Sequence, residues 1–313
     1  MKVLVPDNLG FEVEVPGAEV VRYPPLSDLP PGTADATALV VFETPSHLLR
    51  RYAEALPDLV FVQTLSAGPD AVLAAGFAPH VALASGRGLH DLPVAEHTLA
   101  LLLAAARSLP AAGRAQREHR WAGELGGRQP FPDPGRFATL IGARIAIWGF
   151  GSIGRVLAER LTTMGAHPIG ITRSGVEPDT VGVDDLDALL PTLDALVLLL
   201  PGTAENRHVV DARVLELLPA HAWVVNVGRG AALDEGALVA ALARGALAGA
   251  ALDVFETEPL AASSPLWDLP NVIITPHAAG GRPIGAKELI EENLGRLRRG
   301  EDPRNLVRPG RRG

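Results

Sequence analysis

The chain has 313 residues, enough for two domains that each bury a core of their own. Its 28 basic and 36 acidic residues give a net charge of −8 without a long run of either sign, so neither nucleic acid nor a membrane is predicted as a partner. Cysteine is absent, which excludes disulfides, thiolate metal sites and a thiol nucleophile, and no metal site is predicted.

The first ninety residues alternate short apolar strands with helices, the pattern of a small parallel βα unit. MKVLVP enters a strand directly, without the apolar segment and cleavage site of a signal peptide, so we expect a cytoplasmic protein. Residues 123–135 carry Gly, Pro and Asp without periodicity and are interpreted as a loop. Strands are predicted at 2–5, 38–42, 59–63 and 81–84, and helices at 46–56, 69–75 and 93–109.

From residue 144 the alternation restarts with near-continuous apolar strands, which are typical of a parallel sheet covered on both faces. The last helix, 283–299, follows this second sheet and is expected to return to the first domain. The predicted fold is α/β with two Rossmann-like doubly wound parallel-sheet domains, a discontinuous one (1–90 and 283–313) and a continuous one (91–282). The second domain has predicted strands at 144–148, 167–171, 195–200, 223–227, 248–252 and 272–275, with helices at 152–164, 211–217 and 234–243.

A glycine-rich turn joins the first strand of the second domain to its helix. GFGSIG follows a predicted strand and opens a predicted helix, the context that a dinucleotide-binding motif requires. The first glycine permits a tight turn, the second lets a pyrophosphate approach the backbone, and the third lets the helix pack on the strand. The helix N-terminus supplies N–H groups and a positive dipole end to the phosphates. The predicted cofactor-binding residues here are Gly149, Gly151, Ser152, Ile153 and Gly154.

The end of the next strand indicates which dinucleotide is bound. An acid that hydrogen-bonds the ribose 2′-OH of NAD is expected about 20 residues after the motif. Thr172 occupies that place, and Arg173 and Ser174 offer a charged donor and a hydroxyl to a 2′-phosphate. NADP is therefore the predicted cofactor and NAD the alternative; arginine is abundant in this chain, so an ordinary surface role for Arg173 stays open.

A polar residue follows each of three later strands: Arg229 in NVGRG, Glu258 in VFETEP and His277 in ITPH. Ligands of open α/β sheets bind outside the carboxyl ends of the strands, so these side chains are expected to converge beside a nicotinamide. His277 could protonate a carbonyl with Glu258 orienting its ring, and the planar fork of Arg229 could bind a carboxylate. Each residue alone also fits a plain role: a solvated Arg, a structural His, a loop Glu.

These segments resemble the D-isomer-specific 2-hydroxyacid dehydrogenases, a family that includes phosphoglycerate dehydrogenases and glyoxylate/hydroxypyruvate reductases. GFGSIG, LPGTAENRHVV, NVGRGAALDEGAL, ALDVFETEPL and TPHAAG match most specifically, and QTLSAGPDAV and LPVAEHTLALLLAAAR more weakly. The resemblance implies an oxidoreductase that transfers a hydride between NAD(P)H and a small 2-oxo acid or D-2-hydroxy acid. It also implies Arg229, Glu258 and His277 as the catalytic set. Which 2-hydroxy acid is the substrate is left open.

The same resemblance implies that the discontinuous domain (1–90 and 283–313) is a flavodoxin-like substrate domain and that residues 91–282 form the dinucleotide-binding domain. It also implies further contacts. Backbone N–H groups at Ala67 and Gly68 would bind the substrate carboxylate together with Arg229, and Asp253 would lie near the nicotinamide amide. A homodimer is expected through the helix at 92–107, although its apolar face also fits a buried core helix. That face comprises Val94, Ala95, Leu99, Leu102 and Leu103. The other implied cofactor contacts are Leu200, Pro201, Val227, Gly228 and Ala279.

Two other functions fit parts of the sequence. Some relatives of this fold are non-enzymatic, dinucleotide-sensing binding proteins that keep much of the catalytic set, so turnover of a 2-oxo acid is the observation that separates the two. A methyltransferase interpretation of GFGSIG leaves the three residues after the later strands without a role. A formate dehydrogenase is disfavoured because those enzymes carry Gln where Glu258 stands.

Overall fold

A computed structural model of the chain describes residues 1–127, 129–131, 133 and 135–308. The chain divides into two compact units, one formed by Met1–His90 with Arg282–Gly313 and the other by Asp91–Gly281. The sequence predicts domain boundaries after residues 90 and 282, and the structure divides the chain after residues 90 and 281. Parts of the predicted ranges 123–135 and 283–313 lie outside the described residues. Each unit contains a sheet that is wholly or mostly parallel, which confirms the predicted α/β class.

Strands and α-helices alternate along most of the described chain. The strands are β1 (Lys2–Pro6), β2 (Glu19–Tyr23), β3 (Ala38–Val41), β4 (Phe61–Thr64), β5 (Ala82–Ala84), β6 (Arg144–Trp148), β7 (His167–Thr172), β8 (Thr180–Gly182), β9 (Ala195–Leu198), β10 (Trp223–Asn226), β11 (Gly249–Leu252), β12 (Val272–Ile274) and β13 (Leu306–Arg308). The α-helices are α1 (Ser46–Ala55), α2 (Asp70–Leu73), α3 (Asp91–Ala106), α4 (Leu109–Arg117), α5 (Ser152–Thr163), α6 (Leu186–Leu189), α7 (Ala212–Leu217), α8 (Glu235–Ala243) and α9 (Ala286–Arg298).

The sheet of the first unit has the strand order β13-β5-β4-β3-β1-β2. Its strands pair in parallel, except that β13 runs antiparallel to β5. The strands β3, β4 and β5 are buried throughout because apolar clusters cover both faces of the sheet. The C-terminal elements α9 and β13 belong to this unit, so both ends of the chain build it.

The sheet of the second unit has the strand order β12-β11-β10-β9-β6-β7-β8, with every pair parallel. The chain runs outward from β6 to β8 in one direction and from β9 to β12 in the other, so the order reverses between β6 and β9. Ligands of doubly wound sheets bind outside the carboxyl ends of the strands at such a reversal. The loops after β6, β9, β10 and β11 are therefore where a ligand site is expected.

Helix α3 begins two residues earlier than predicted, which places Pro93 inside its first turn. Pro is tolerated there because the first N–H groups of a helix have no intrahelical acceptor. The face predicted to form a dimer packs within the second unit: Val94, Ala95 and Leu102 are buried in its core, and Leu99 and Leu103 pack against the same cluster. In this structure the face serves as a core face of a single chain, and the dimer stays a prediction.

Several elements were not predicted, because the sequence pattern used to find strands and helices is weak in them. The strand β2 forms one edge of its sheet, and its side chains alternate poorly because most are only half-buried. The edge strands β8 and β13 contain three residues each. Among the described residues, no single helix is long and apolar enough to cross a membrane; α3 and α4 satisfy that test only as a pair, and they are bent by 66°.

Candidate active site

The glycine-rich turn after β6 contains three glycines in three different environments. Gly149 has a φ of 104°, and a Cβ there would lie 2.6 Å from the carbonyl oxygen of Leu199. A Cβ at Gly154 would lie 2.9 Å from the carbonyl oxygen of Gly149, so helix α5 lies against the turn. Apart from Gly151 and its two chain neighbours, no atom of the described residues lies within 4 Å of the Cβ position of Gly151, at the N-cap of α5. This open backbone at a helix N-terminus fits the close approach of a dinucleotide pyrophosphate.

The first two residues of α5 have different side-chain environments. The Ser152 hydroxyl donates a hydrogen bond to Asp91 Oδ1 at 3.0 Å, which ties the start of α5 to the start of α3. The side chain of Ile153 packs against the core of the unit. The Ile153 side chain therefore lies on the core side of α5, and a phosphate could meet this residue only through its backbone N–H.

The end of β7 carries the residues predicted to distinguish NADP from NAD. Thr172 is the last residue of the strand, and its hydroxyl oxygen accepts a hydrogen bond from the Gly175 N–H at 2.9 Å. The Arg173 side chain is 91% exposed, and its guanidinium lies 3.7 Å from Glu205 Oε2. Ser174 forms an isolated antiparallel bridge with Gly182. The structure therefore presents an exposed cation, with a competing carboxylate beside it, at the predicted position.

The loops after β9 and β10 contact each other through their backbones. A Cβ at Gly228 would lie 2.9 Å from the backbone nitrogen of Leu200. Leu200 and Val227 are buried, whereas Pro201 is exposed. The buried amide of Asn226 shapes the loop by donating to the carbonyl of Arg229 at 3.1 Å and accepting from the Gly228 N–H at 3.2 Å. Asn226 is missing from the predicted site, although a polar residue closing an apolar strand could have indicated it.

The loop of Arg229 lies directly against the segment that carries Glu258. A Cβ at Gly230 would lie 1.9 Å from the backbone of Phe255, so only glycine fits there. The half-buried Arg229 donates from Nη1 to the carbonyl of Gly228 at 2.8 Å. A guanidinium has five N–H donors in a planar fork, and this bond engages one of them.

Glu258 and His277 are in direct contact. The Nδ1 atom of His277 lies 2.7 Å from Glu258 Oε2, and Glu258 Oε1 accepts the Phe255 N–H at 3.0 Å. Because a carboxylate accepts hydrogen bonds and does not donate them, Nδ1 carries the proton in this pair. Within the described residues no hydrogen bond engages Nε2 of His277, whose side chain is 49% exposed. The pair therefore presents Nε2 of an oriented imidazole for proton exchange.

The turn that carries His277 is held by the buried carboxylate of Asp253. This side chain is 1% exposed and accepts hydrogen bonds from the Thr275 hydroxyl at 2.5 Å and from the N–H groups of Ala278 and Ala279 at 2.8 and 3.0 Å. Burial raises the pKa of Asp253, but the nearby His97 imidazole and hydrogen bonds from Thr275 and the two backbone amides outweigh burial and lower the pKa to about 2. Asp253 is thus a buried anion inside the turn, and its contact with a nicotinamide amide stays a prediction.

Two reciprocal hydrogen bonds join Glu256, two residues before Glu258, to Glu235 at the start of helix α8. The N–H groups of Glu235 and Glu256 each donate to the side chain of the other residue. Burial raises the pKa of Glu235, and the negative charges of Glu256 and Glu258 raise it further. The hydrogen bond from the Glu256 N–H lowers the pKa but does not cancel the rise. Neither residue was predicted, because a reciprocal contact between two acids has no local sequence pattern.

Ala67 and Gly68 lie in the first unit, in the loop that joins β4 to α2. This loop is tightly packed at its start: the Gly86 N–H donates to the Ser66 carbonyl at 2.8 Å, and a Cβ at Gly86 would lie 2.0 Å from the Leu65 carbonyl oxygen. The two residues follow the carboxyl end of a parallel strand, where ligands of such sheets bind. Their part in binding a substrate carboxylate stays a prediction.

Comparison with known proteins decides the family. Residues 99–279 match the model of the D-isomer specific 2-hydroxyacid dehydrogenase NAD binding domain, which covers more than half of the chain. The chain belongs to the D-isomer specific 2-hydroxyacid dehydrogenase family. The resemblance found in the sequence is thereby confirmed, and the strands β6 to β12 with the loops between them lie within the matched NAD binding domain.

Individual members of the family show the same similarity. The chain is 33% identical to a D-3-phosphoglycerate dehydrogenase of Mycobacterium bovis over 86% of its own length, but it spans only 49% of that relative. It is 33% identical to a glyoxylate/hydroxypyruvate reductase of Arabidopsis thaliana, over 81% of this chain and 77% of the relative. The solved structure of an NADPH-dependent glyoxylate/hydroxypyruvate reductase from Sinorhizobium meliloti, in complex with NADP and sulfate, is 29% identical with a TM-score of 0.80, and covers 98% of this chain and 97% of its own.

Proposed function

We propose that this protein is an NAD(P)-dependent reductase that converts a small 2-oxo acid to a D-2-hydroxy acid, and the reverse. The observation that carries the proposal is the 2.7 Å contact between His277 Nδ1 and Glu258 Oε2, in a chain of the 2-hydroxyacid dehydrogenase family. A histidine oriented in this way by a carboxylate is suited to exchanging a proton near neutral pH. The relatives named as glyoxylate/hydroxypyruvate reductases support small 2-oxo acids as the substrate class.

In the proposed reaction the nicotinamide cofactor, when bound, supplies the hydride. His277 supplies the proton: its imidazolium donates from Nε2 to the carbonyl oxygen, while Glu258 retains the hydrogen bond to Nδ1–H and thereby stabilises the charged ring. Arg229 binds the substrate carboxylate through paired N–H donors, a geometry that lysine cannot reproduce. After the transfer His277 is neutral with its proton on Nδ1, the form that the contact with Glu258 favours.

NADP is the proposed cofactor in preference to NAD. The open backbone at Gly151 and the first turn of α5 would hold the pyrophosphate. The end of β7 carries Thr172 in place of a carboxylate, so no negative charge of this residue repels a 2′-phosphate. The Thr172 hydroxyl already accepts a hydrogen bond from the Gly175 N–H. The exposed guanidinium of Arg173 is the cation that we assign to the phosphate. The NADP complex of the Sinorhizobium reductase supports this choice.

A panel of 2-oxo acids, including glyoxylate, hydroxypyruvate and larger side chains, tests the proposed function when assayed with NADPH and with NADH. We expect oxidation of NADPH that depends on a 2-oxo acid, with higher catalytic efficiency than with NADH. Tight binding of the dinucleotide without turnover of any 2-oxo acid would instead favour the non-enzymatic binding protein. Equal or better efficiency with NADH would contradict the assignment of Arg173 to the 2′-phosphate.

A further inference from the structure

We infer that His97, on helix α3, is a positioning residue for His277 and acts through Thr275 and Asp253. The inference rests on the proposed function, because it assigns a supporting part to a residue outside the proton-exchanging pair. His97 Nε2 lies 3.0 Å from Thr275 Oγ1 and 3.4 Å from Asp253 Oδ1. The His97 side chain is 22% exposed and the Asp253 carboxylate is buried, so the contacts are largely shielded from water.

The direction of each hydrogen bond follows from the donors available. Asp253 accepts two backbone N–H groups and is ionised, so the single proton of the Thr275 hydroxyl is donated to Asp253 Oδ1. The Thr275 oxygen can then only accept from His97, which requires the proton of the imidazole to be on Nε2. The result is a directed chain from His97 Nε2–H to the Thr275 hydroxyl and on to the Asp253 carboxylate.

This chain ends on the groups that shape the backbone at His277. Asp253 Oδ1 and Oδ2 accept the N–H groups of Ala278 and Ala279, and the Asp253 carbonyl accepts the His277 N–H at 2.8 Å. His277 has a φ of 52°, a left-handed conformation that is uncommon for non-glycine residues. The hydrogen bonds to Asp253 impose it here, and they depend on the carboxylate keeping its position.

His97 is well placed to hold that position. Helix α3 packs against α5 and against the strands β10 and β11, so its side chains project from a rigid element of the core. Glu258 orients the imidazole of His277 through Nδ1, whereas the chain from His97 fixes the turn from which that imidazole projects. Loss of the His97 donor removes the hydrogen bond that joins helix α3 to Thr275, and the turn gains freedom.

The test compares His97→Leu, which removes the donor, with His97→Gln, whose amide N–H reaches a similar position. His97→Leu should lower kcat by about 10-fold to 100-fold, because a small misplacement of a reacting group has an effect of this size on the rate. The KM for NADPH and the KM for the 2-oxo acid should each change by less than about threefold. His97→Gln should recover turnover to within about threefold of the wild type. His167→Leu, at an exposed histidine of the same unit, serves as the matched control.

A second readout does not depend on catalysis. Hydrogen exchange of the Ala278 and Ala279 amides, followed by NMR, should accelerate in His97→Leu and stay near the wild-type rates in His97→Gln and His167→Leu. Thr275→Val removes the middle hydroxyl with little change of volume and should reproduce the His97→Leu result, whereas Thr275→Ser should not. This pair carries the test if His97→Leu fails to fold.

The outcomes separate the inference from the proposed function. A wild-type protein that reduces no 2-oxo acid contradicts the proposed function, and the amide exchange rates still decide the part played by His97. Unchanged kcat and unchanged exchange in His97→Leu overturn the inference. Equal losses in His97→Gln and His97→Leu also overturn it, since they would show that the ring is needed for packing and not as a donor.

Discussion

The buried carboxylate of Asp253 should make the second unit stable to acid only down to the pH at which this group is protonated. Its pKa is lowered from 3.8 to about 2 in the folded chain. A pKa that is lower in the folded state contributes stability that is present above about pH 4 and is lost as the pH falls toward 2. Each tenfold change in the ionisation constant corresponds to about 1.4 kcal/mol, so the charge of Asp253 contributes about 2.5 kcal/mol to the free energy of unfolding. Solvent screening does not reduce this value, because the side chain is only 1% exposed.

Asp253→Asn removes this contribution at every pH, because the amide is neutral. Its NH₂ group is a donor and faces one of the groups that donate to the carboxylate in the wild type, so that hydrogen bond is lost as well. At pH 6 the second unit should therefore lose at least about 2.5 kcal/mol of its free energy of unfolding. The difference in free energy of unfolding between the variant and the wild type should decrease by about 2.5 kcal/mol between pH 4 and pH 2, where the wild-type carboxylate becomes protonated. Asp184→Asn, at an exposed acid of the same unit, should track the wild type throughout.

Urea unfolding followed by tryptophan fluorescence measures the free energy of unfolding of the second unit, which contains Asp253. The two tyrosines lie in the first unit, and all four tryptophans lie in the second, so the fluorescence of the latter reports the unit that contains Asp253. A constant difference between Asp253→Asn and the wild type from pH 6 to pH 2 would refute the reasoning, since it would show that the charge contributes no stability. The tryptophans are Trp121, Trp148, Trp223 and Trp267.

Five further variants test the reaction and the choice of cofactor. Glu258→Gln should shift the loss of reductase activity at alkaline pH toward lower pH, because the imidazolium loses its carboxylate partner; an unchanged pH profile of kcat contradicts this. Arg229→Lys should raise the KM for 2-oxo acids and lower kcat together, as steady-state kinetics will show, unless the anion binds elsewhere. Arg173→Ala should weaken NADPH binding by about 10-fold to 150-fold and leave NADH nearly unchanged in fluorescence titrations. Thr172→Asp should favour NADH, and Glu205→Gln should tighten NADPH by at most about fivefold, since exposed ion pairs contribute below about 1 kcal/mol.

The sequence predicted those parts of the molecule that depend on local patterns. The strand β6 has the predicted bounds, and the other buried strands differ by a few residues, because strands covered on both faces need continuous apolar segments. Glu258 and His277 were expected to meet because each follows a strand of one parallel sheet, and the structure brings them together. Edge strands such as β2 escaped prediction because half of such a strand faces water.

The support of the site could not be predicted, because it links residues that are far apart in the chain. His97 and Thr275 are 178 positions apart, and nothing in the apolar sequence of α3 distinguishes a histidine that donates to a loop from one that fills a core. The left-handed backbone of His277 is likewise held by contacts with Asp253, and because most histidines do not adopt it, the residue type alone does not predict it. The apolar face of α3 fits either a dimer interface or a buried core helix by its sequence; its residues lie in or against the core of the second unit, and the dimer stays a prediction.

Turnover of a 2-oxo acid by the wild type and by His277→Ala, measured with NADPH, tests the central proposal most directly. We predict that the variant folds and binds NADPH with wild-type affinity but loses about 100-fold or more of kcat, since general acid catalysis contributes about 10²-fold to 10⁴-fold. A folded His277→Ala variant with near wild-type turnover would contradict the assignment of His277 as the proton donor.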